Sequence, residues 1–187
     1  VEVQSRGLVR LDRVRRAFVT FERNGNEVSL MTDMNSVDEA MTRAAEIVRG
    51  TQRLLAGLGF FGVTELSLAN NRRADIAALG PSGEVWMVEV KSSIADFRSD
   101  SKWPEYMPYC DQLYFAVADD FPQELIPDET GLIVADAFGG AIIRESPEDK
   151  LPAAQRKAMT LRLARLAAMR LTQTTDTGWT AASGLLT

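Results

Sequence analysis

The sequence predicts an α/β domain: a central mixed sheet, made of a three-strand meander plus further strands, flanked by helices. Three observations carry this reading. Apolar residues recur at helical spacing from Ser36 to Leu55, three short strand patterns separated by turn residues follow, and a helical pattern closes the chain after more strands. With 187 residues the chain is long enough for one domain with a substantial core.

Residues 1–33 fit poorly with the rest. Strand-like stretches at 17–21 and 28–31 flank a turn at Asn24-Gly25-Asn26. The segment reads as an N-terminal arm or hairpin, or as sequence upstream of the natural start. Ser36 followed by Glu39 makes a capping box, and Val37, Ala40, Met41, Ala44, Ile47, Val48, Leu54 and Leu55 hold an apolar face until Gly57 and Gly59. Strands are expected at 63–69, 74–79 and 85–91, joined by turns at Asn70-Asn71 and Gly80-Pro81-Ser82-Gly83. Ser93 with Asp96 caps a second helical stretch that Pro104 and Pro108 must break or reshape. A buried strand at 113–118, a strand pair at 131–137 and 141–144, and a helix over 151–171 complete the order. The domain is therefore expected over 34–171, with 172–187 a flexible tail.

Composition narrows the chemistry. Hydrophobic residues make up 45% and charged residues 25%, the balance of a globular chain. No apolar run approaches the roughly 20 residues that cross a bilayer, so no membrane partner is expected. The N-terminus lacks an apolar signal core and the single Cys110 has no disulfide partner in the chain, so a cytoplasmic location is expected. There are no histidines. Ser-His-Asp and Cys-His catalysis, and every histidine-ligated zinc or iron site, are thereby removed. Any metal must be held by oxygen, which points to magnesium, manganese or calcium.

The net charge of −5 is unevenly spread. Residues 1–23 hold six arginines against three acids, and residues 151–187 hold five basic groups against Asp176, so the middle carries the acidity. Basic ends can approach a polyanion while an acidic centre holds cations. Solvated faces of this kind need no function at all.

Alternation along 85–91 puts Val85, Met87, Glu89 and Lys91 on one face and Trp86, Val88 and Val90 on the other. On the preceding strand Asp75, Ala77 and Leu79 share a face. If Leu79 faces Val85 across the turn, Asp75 falls opposite Glu89, and a slip of two leaves them diagonal; either way they are about 5 to 8 Å apart. Glu65 has the same parity option. Converging carboxylates repel unless a cation sits between them, and Lys91 with a divalent metal, Mg2+ or Mn2+, would supply that charge. The Val90 carbonyl is a further oxygen ligand. Phosphodiester hydrolysis wants this arrangement, with Lys91 positioning water or steadying developing charge. An acid and a lysine two apart on a strand are otherwise a plain ion pair.

These residues resemble a family. Asp75, then thirteen residues, then Glu89-Val90-Lys91 resembles the motif of the PD-(D/E)xK nuclease superfamily, which implies a restriction-endonuclease-like core. More closely, Arg72-Arg73-Ala74-Asp75-Ile76, Val88-Glu89-Val90-Lys91-Ser92-Ser93, Asp96-Phe97-Arg98, Lys102-Trp103, Tyr106, Tyr109-Cys110-Asp111 and Tyr114-Phe115-Ala116-Val117 resemble the MmcB-like DNA repair family. The resemblance runs from about Arg49 to Arg170. Ala74 stands where the motif often has proline, and the superfamily's frequent first-helix glutamate matches Glu46 only loosely, so Glu65 is the better extra ligand.

The expectation is a DNA repair protein, a metal-dependent nuclease selective for DNA structure, with Asp75, Glu89 and Lys91 catalytic and Asp75, Glu89, Val90 and Glu65 around the metal. The alternative is a catalytically weak or inactive DNA-binding repair factor of the same fold. Arg72, Arg73, Ser92, Arg98 and Lys102 are expected on DNA, with Arg98 and Lys102 four apart on one helical face. Those two also have Asp96, Asp100 and Glu105 as nearby acid partners. Trp103 and Tyr106 would stack on splayed bases, or pack on the sheet. On the last helix, the rows Met159, Leu163, Leu166 and Leu161, Ala164, Ala168, Leu171 suggest packing on two sides, as at a homodimer interface. DNA, other repair proteins and a nucleoid-associated location complete the expectation.

Overall fold

The computed structural model describes residues 31–99 and 101–176. The chain divides into two compact units, Val1–Asn35 and Ser36–Thr187, and the sheet with its covering helices belongs to the second. The strand-like stretch at 17–21, most of that at 28–31, the turn between them and the end of the tail lie outside the described residues.

Helix α1 (Met31–Gly57) begins five residues before the expected cap, so Ser36 sits inside it. No glycine or proline separates Met31 from Ser36, so nothing stops the helix from extending upstream. Its C-terminus closes on Gly59, at φ +82°, with Phe60 N–H donating to Leu55 O at 2.8 Å and Gly59 N–H to Ala56 O at 3.0 Å. That is the Schellman closure, which needs a left-handed residue at this point.

Strands β1 (Phe61–Ser67), β2 (Arg73–Leu79) and β3 (Val85–Lys91) form the expected antiparallel meander, and Leu79 pairs with Val85. Short helix α2 (Ile94–Ser99) and a 3₁₀ segment (Trp103–Tyr109) then cross over to β4 (Gln112–Val117), parallel to β3. The prolines reshape this crossover as expected. Pro104 takes a first-turn position where its missing N–H costs nothing, and Pro108 cannot donate inside a longer α-helix. Strand β5 (Gly131–Ala135) runs parallel to β4, and β6 (Gly140–Arg144) returns antiparallel, so the sheet is mixed, with order β1-β2-β3-β4-β5-β6. Helix α3 (Ala153–Thr175) closes the domain and continues four residues into the expected tail.

Two apolar layers sandwich the sheet. Val85 and Met87 pack with Met159 and Leu163 of α3, while Val88 and Val90 pack with Ile47 and Leu55 of α1. The parity expected for β3 is therefore observed. Helix α3 buries only its first apolar row; Leu161 and Leu171 of the second stay 55% and 65% exposed. Among the described residues no helix is long and apolar enough to cross a membrane.

Candidate functional site

The site sits where β2 and β3 part. Their ladder runs from Leu79↔Val85 to Ile76↔Val88 and stops. One pair further on, the Val90 N–H donates to Asp75 Oδ2 at 2.8 Å. A strand N–H lies in the plane of its sheet, so the Asp75 carboxylate fills the gap between strands rather than standing on one face. A break in alternation explains why simple parity misses this. Ala74 and Ala77, three apart, both join the α3 layer, and so do Val63 and Leu66 on β1. Between them Glu65 adopts a left-handed φ of +55°, which costs a residue with a side chain about 1–2 kcal/mol. Both strands slip together at the Glu65–Asp75 level.

Glu89 and Lys91 follow the expected alternation on the neighbouring strand. Lys91 Nζ donates to Glu89 Oε1 at 3.1 Å, and their side chains are only 4% and 8% exposed, respectively. Asp75, Glu89, Val90, Lys91 and Glu65 line one cavity of about 1190 Å³, closed by Ala44, Ala45 and Val48 of α1 on one side and reached by Arg162 of α3 on the other. Glu46 does not line it. Glu65 is bound by Arg73. Among the described residues no group of three or more acids or cysteines gathers closely enough to hold a metal ion by protein ligands alone.

Burial is the largest influence on Asp75 and raises its carboxyl above the ordinary value. The Val90 N–H and Lys91 oppose this, while the charges of Glu65 and Asp96 add to it. A raised carboxyl favours the protonated form in the folded chain, so ionised Asp75 costs stability as pH rises through its folded pKa. Asp75→Asn keeps an oxygen for the Val90 N–H and removes the charge. It should therefore raise the melting temperature in metal-free buffer at neutral pH, and a fall there would contradict this account. Asp75→Ala is the less clean change because it strands that N–H.

The expected DNA contacts divide. Arg72 makes a two-pronged ion pair with Glu105, Nε and Nη2 each 2.7 Å from a carboxylate oxygen. Ser92 donates through its N–H to Asp96 Oδ2 at 3.2 Å, while the Asp96 N–H donates to Ser93 Oγ at 3.1 Å. The Ser93–Asp96 cap thus forms, with the return bond shifted to Ser92. Tyr106 is buried and its hydroxyl donates to Arg73 O at 3.1 Å, while Trp103 is half-buried with its ring edge-on to Phe115. Tyr106 is thereby tied to β2, and Trp103 packs against β4. Arg98 and Lys102 are exposed, but α2 ends at Ser99, so no single helical face carries both.

Two cavity residues had no such role in the sequence. Asp96 reads there as a cap and as an acid partner for Arg98 and Lys102. Arg162 reads only as one of the five basic groups of the C-terminal segment, because nothing local to α3 announces its approach to β1, 95 residues away in sequence. Cys110 is buried, and burial pushes its thiol up to about 12, which leaves no thiolate for chemistry near neutral pH.

A family model described as DNA repair protein MmcB-like matches residues 32–178. Among solved structures, the SPO1766 protein of unknown function from Silicibacter pomeroyi is 42% identical, with a TM-score of 0.73, covering 75% of this chain and 97% of its own. No curated protein matches the chain.

Proposed function

The chain belongs to the MmcB-like family of DNA repair proteins, and from that premise we propose that it is a metal-dependent hydrolase of DNA phosphodiester bonds, selective for DNA structure. The proposal includes a restriction-endonuclease-like core of the PD-(D/E)xK superfamily. The observation that carries it is the buried Glu89–Lys91 pair beside Asp75 on the wall of one polar cavity. A buried ion pair adds little net stability for its desolvation cost, so its position at an open cavity supports a chemical role.

The donor set fits a hard divalent cation. Asp75 and Glu89 offer carboxylate oxygens and Val90 its carbonyl, with Glu65 auxiliary across the Arg73 pair. Two carboxylates suffice for magnesium or manganese, which keep much of their own water, so the lack of a three-acid cage is no obstacle. When bound, such an ion would polarise a phosphoryl oxygen and acidify a water. Lys91, held in place by Glu89, donates to the negative charge that develops on the phosphate and orients the attacking water. Glu89 thus fixes the lysine and would contribute carboxylate oxygen to the ion.

The test is incubation with duplex, forked, nicked and junction DNA, with and without manganese. Cleavage that requires the ion and favours one branched or nicked form supports the proposal. Salt-sensitive DNA binding with no cleavage of any form would make the chain a non-catalytic DNA-binding repair factor instead.

A further inference from the structure

Among the described residues four cations line the cavity, and three of them are matched to acids: Arg72 to Glu105, Arg73 to Glu65, and Lys91 to Glu89. Arg162 differs. Its Nη1 donates to the carbonyl oxygen of Ser67 at 2.7 Å, a neutral partner at the end of β1. That bond holds the guanidinium at the cavity edge with no acid paired to it among the described residues, and it uses one of the five N–H donors of the group. Its backbone is equally fixed, because the adjacent Leu163 is buried in the sheet layer. Eight residues on, Arg170 repeats the arrangement, its Nη1 donating to the Thr64 hydroxyl at 3.2 Å. The two arginines are about 12 Å apart along α3 and both rest on β1, the strand bordering the cavity.

We infer that Arg162 is a phosphate-binding residue of this site, and that with Arg170 it makes the seam between α3 and β1 a track for a DNA backbone entering the cavity. The inference rests on the DNA reading above and names the surface that positions the substrate. Planar guanidinium groups held on neutral oxygens suit phosphate recognition, since no carboxylate must be displaced first. Such contacts position the backbone and carry no base information, which agrees with selectivity for structure.

The experiment is equilibrium binding of the full chain to duplex and nicked DNA in chelator, across a salt series, so that affinity is read without cleavage. Arg162→Ala should weaken binding about tenfold at about 50 mM salt and reduce the slope of log affinity against log salt by about one. Arg162→Lys should keep the slope, and adding Arg170→Ala to Arg162→Ala should reduce it by about one more. Lys157→Ala is the control: it removes the same charge from an exposed position on α3 outside the cavity, and should leave the slope unchanged. Equal slopes for wild type and Arg162→Ala, in a protein that binds and cleaves DNA, would overturn this inference alone. The predicted slope change without cleavage in manganese would uphold it while the hydrolase reading falls. A wild type that binds no DNA overturns both.

Discussion

Replacing Lys91 by Met should lower manganese-dependent DNA cleavage by at least about a hundredfold, the usual loss when a donor to developing charge is removed. Manganese should still raise the melting temperature of this variant, because both carboxylates and the Val90 carbonyl remain. Glu89→Gln should lose the manganese response and cleavage together, since it weakens an oxygen ligand and releases the lysine. Both changes break a pair whose side chains are 8% and 4% exposed, and stranding one buried charge costs about 3–5 kcal/mol. For a chain of this length that is a fall of about 10 °C in metal-free buffer. Melting curves with and without manganese, beside single-turnover cleavage, separate the two roles. Undiminished cleavage by Lys91→Met would remove the lysine from the chemistry.

The second large effect lies away from the site. Asp111→Ala should destabilise the fold by about 3–5 kcal/mol. Its side chain is 2% exposed and gathers three parts of the chain. The Val85 N–H donates to it at 2.6 Å, the Leu151 N–H at 2.8 Å, and Arg156 of α3 through Nη1 at 2.8 Å and Nη2 at 2.6 Å. Burial alone would raise this carboxyl, but Arg156 and the two backbone donors outweigh it and hold it below the ordinary value of 3.8. A depressed carboxyl contributes stability that is present above the unfolded value and lost as pH falls through the folded one. Urea unfolding across pH should therefore show a gap between wild type and Asp111→Ala that is full at neutral pH and narrows below about pH 4. A gap independent of pH would mean that packing, and not the charge, explains the loss.

Much of this architecture is legible one strand at a time. The alternation of β3 and the turn at 80–83 suffice to place Val85 opposite Leu79 and to bring Glu89 and Lys91 to one end of an apolar strand. What alternation cannot foresee is a coordinated slip on two strands. Glu65 turns left-handed and Asp75 abandons its face for the strand gap, and the reason is the Val90 N–H left over where the ladder stops. The aromatic residues of the crossover have the same ambiguity in reverse. Trp103 and Tyr106 fit either base stacking or packing by composition, and the contacts they make with Phe115 and the Arg73 carbonyl exist only after folding. Arg162 is the plainest case. Its meaning depends on Ser67, and no periodicity within α3 distinguishes it from Arg165.

On the proposed function, Asp75 and Glu89 together hold one hard cation for chemistry on DNA. Anomalous diffraction from crystals grown with manganese tests it most directly. A single strong anomalous peak is expected between the Asp75 and Glu89 carboxylates, and it should disappear in Glu89→Gln. A peak elsewhere, or none at millimolar manganese in a protein that cleaves DNA, would contradict it.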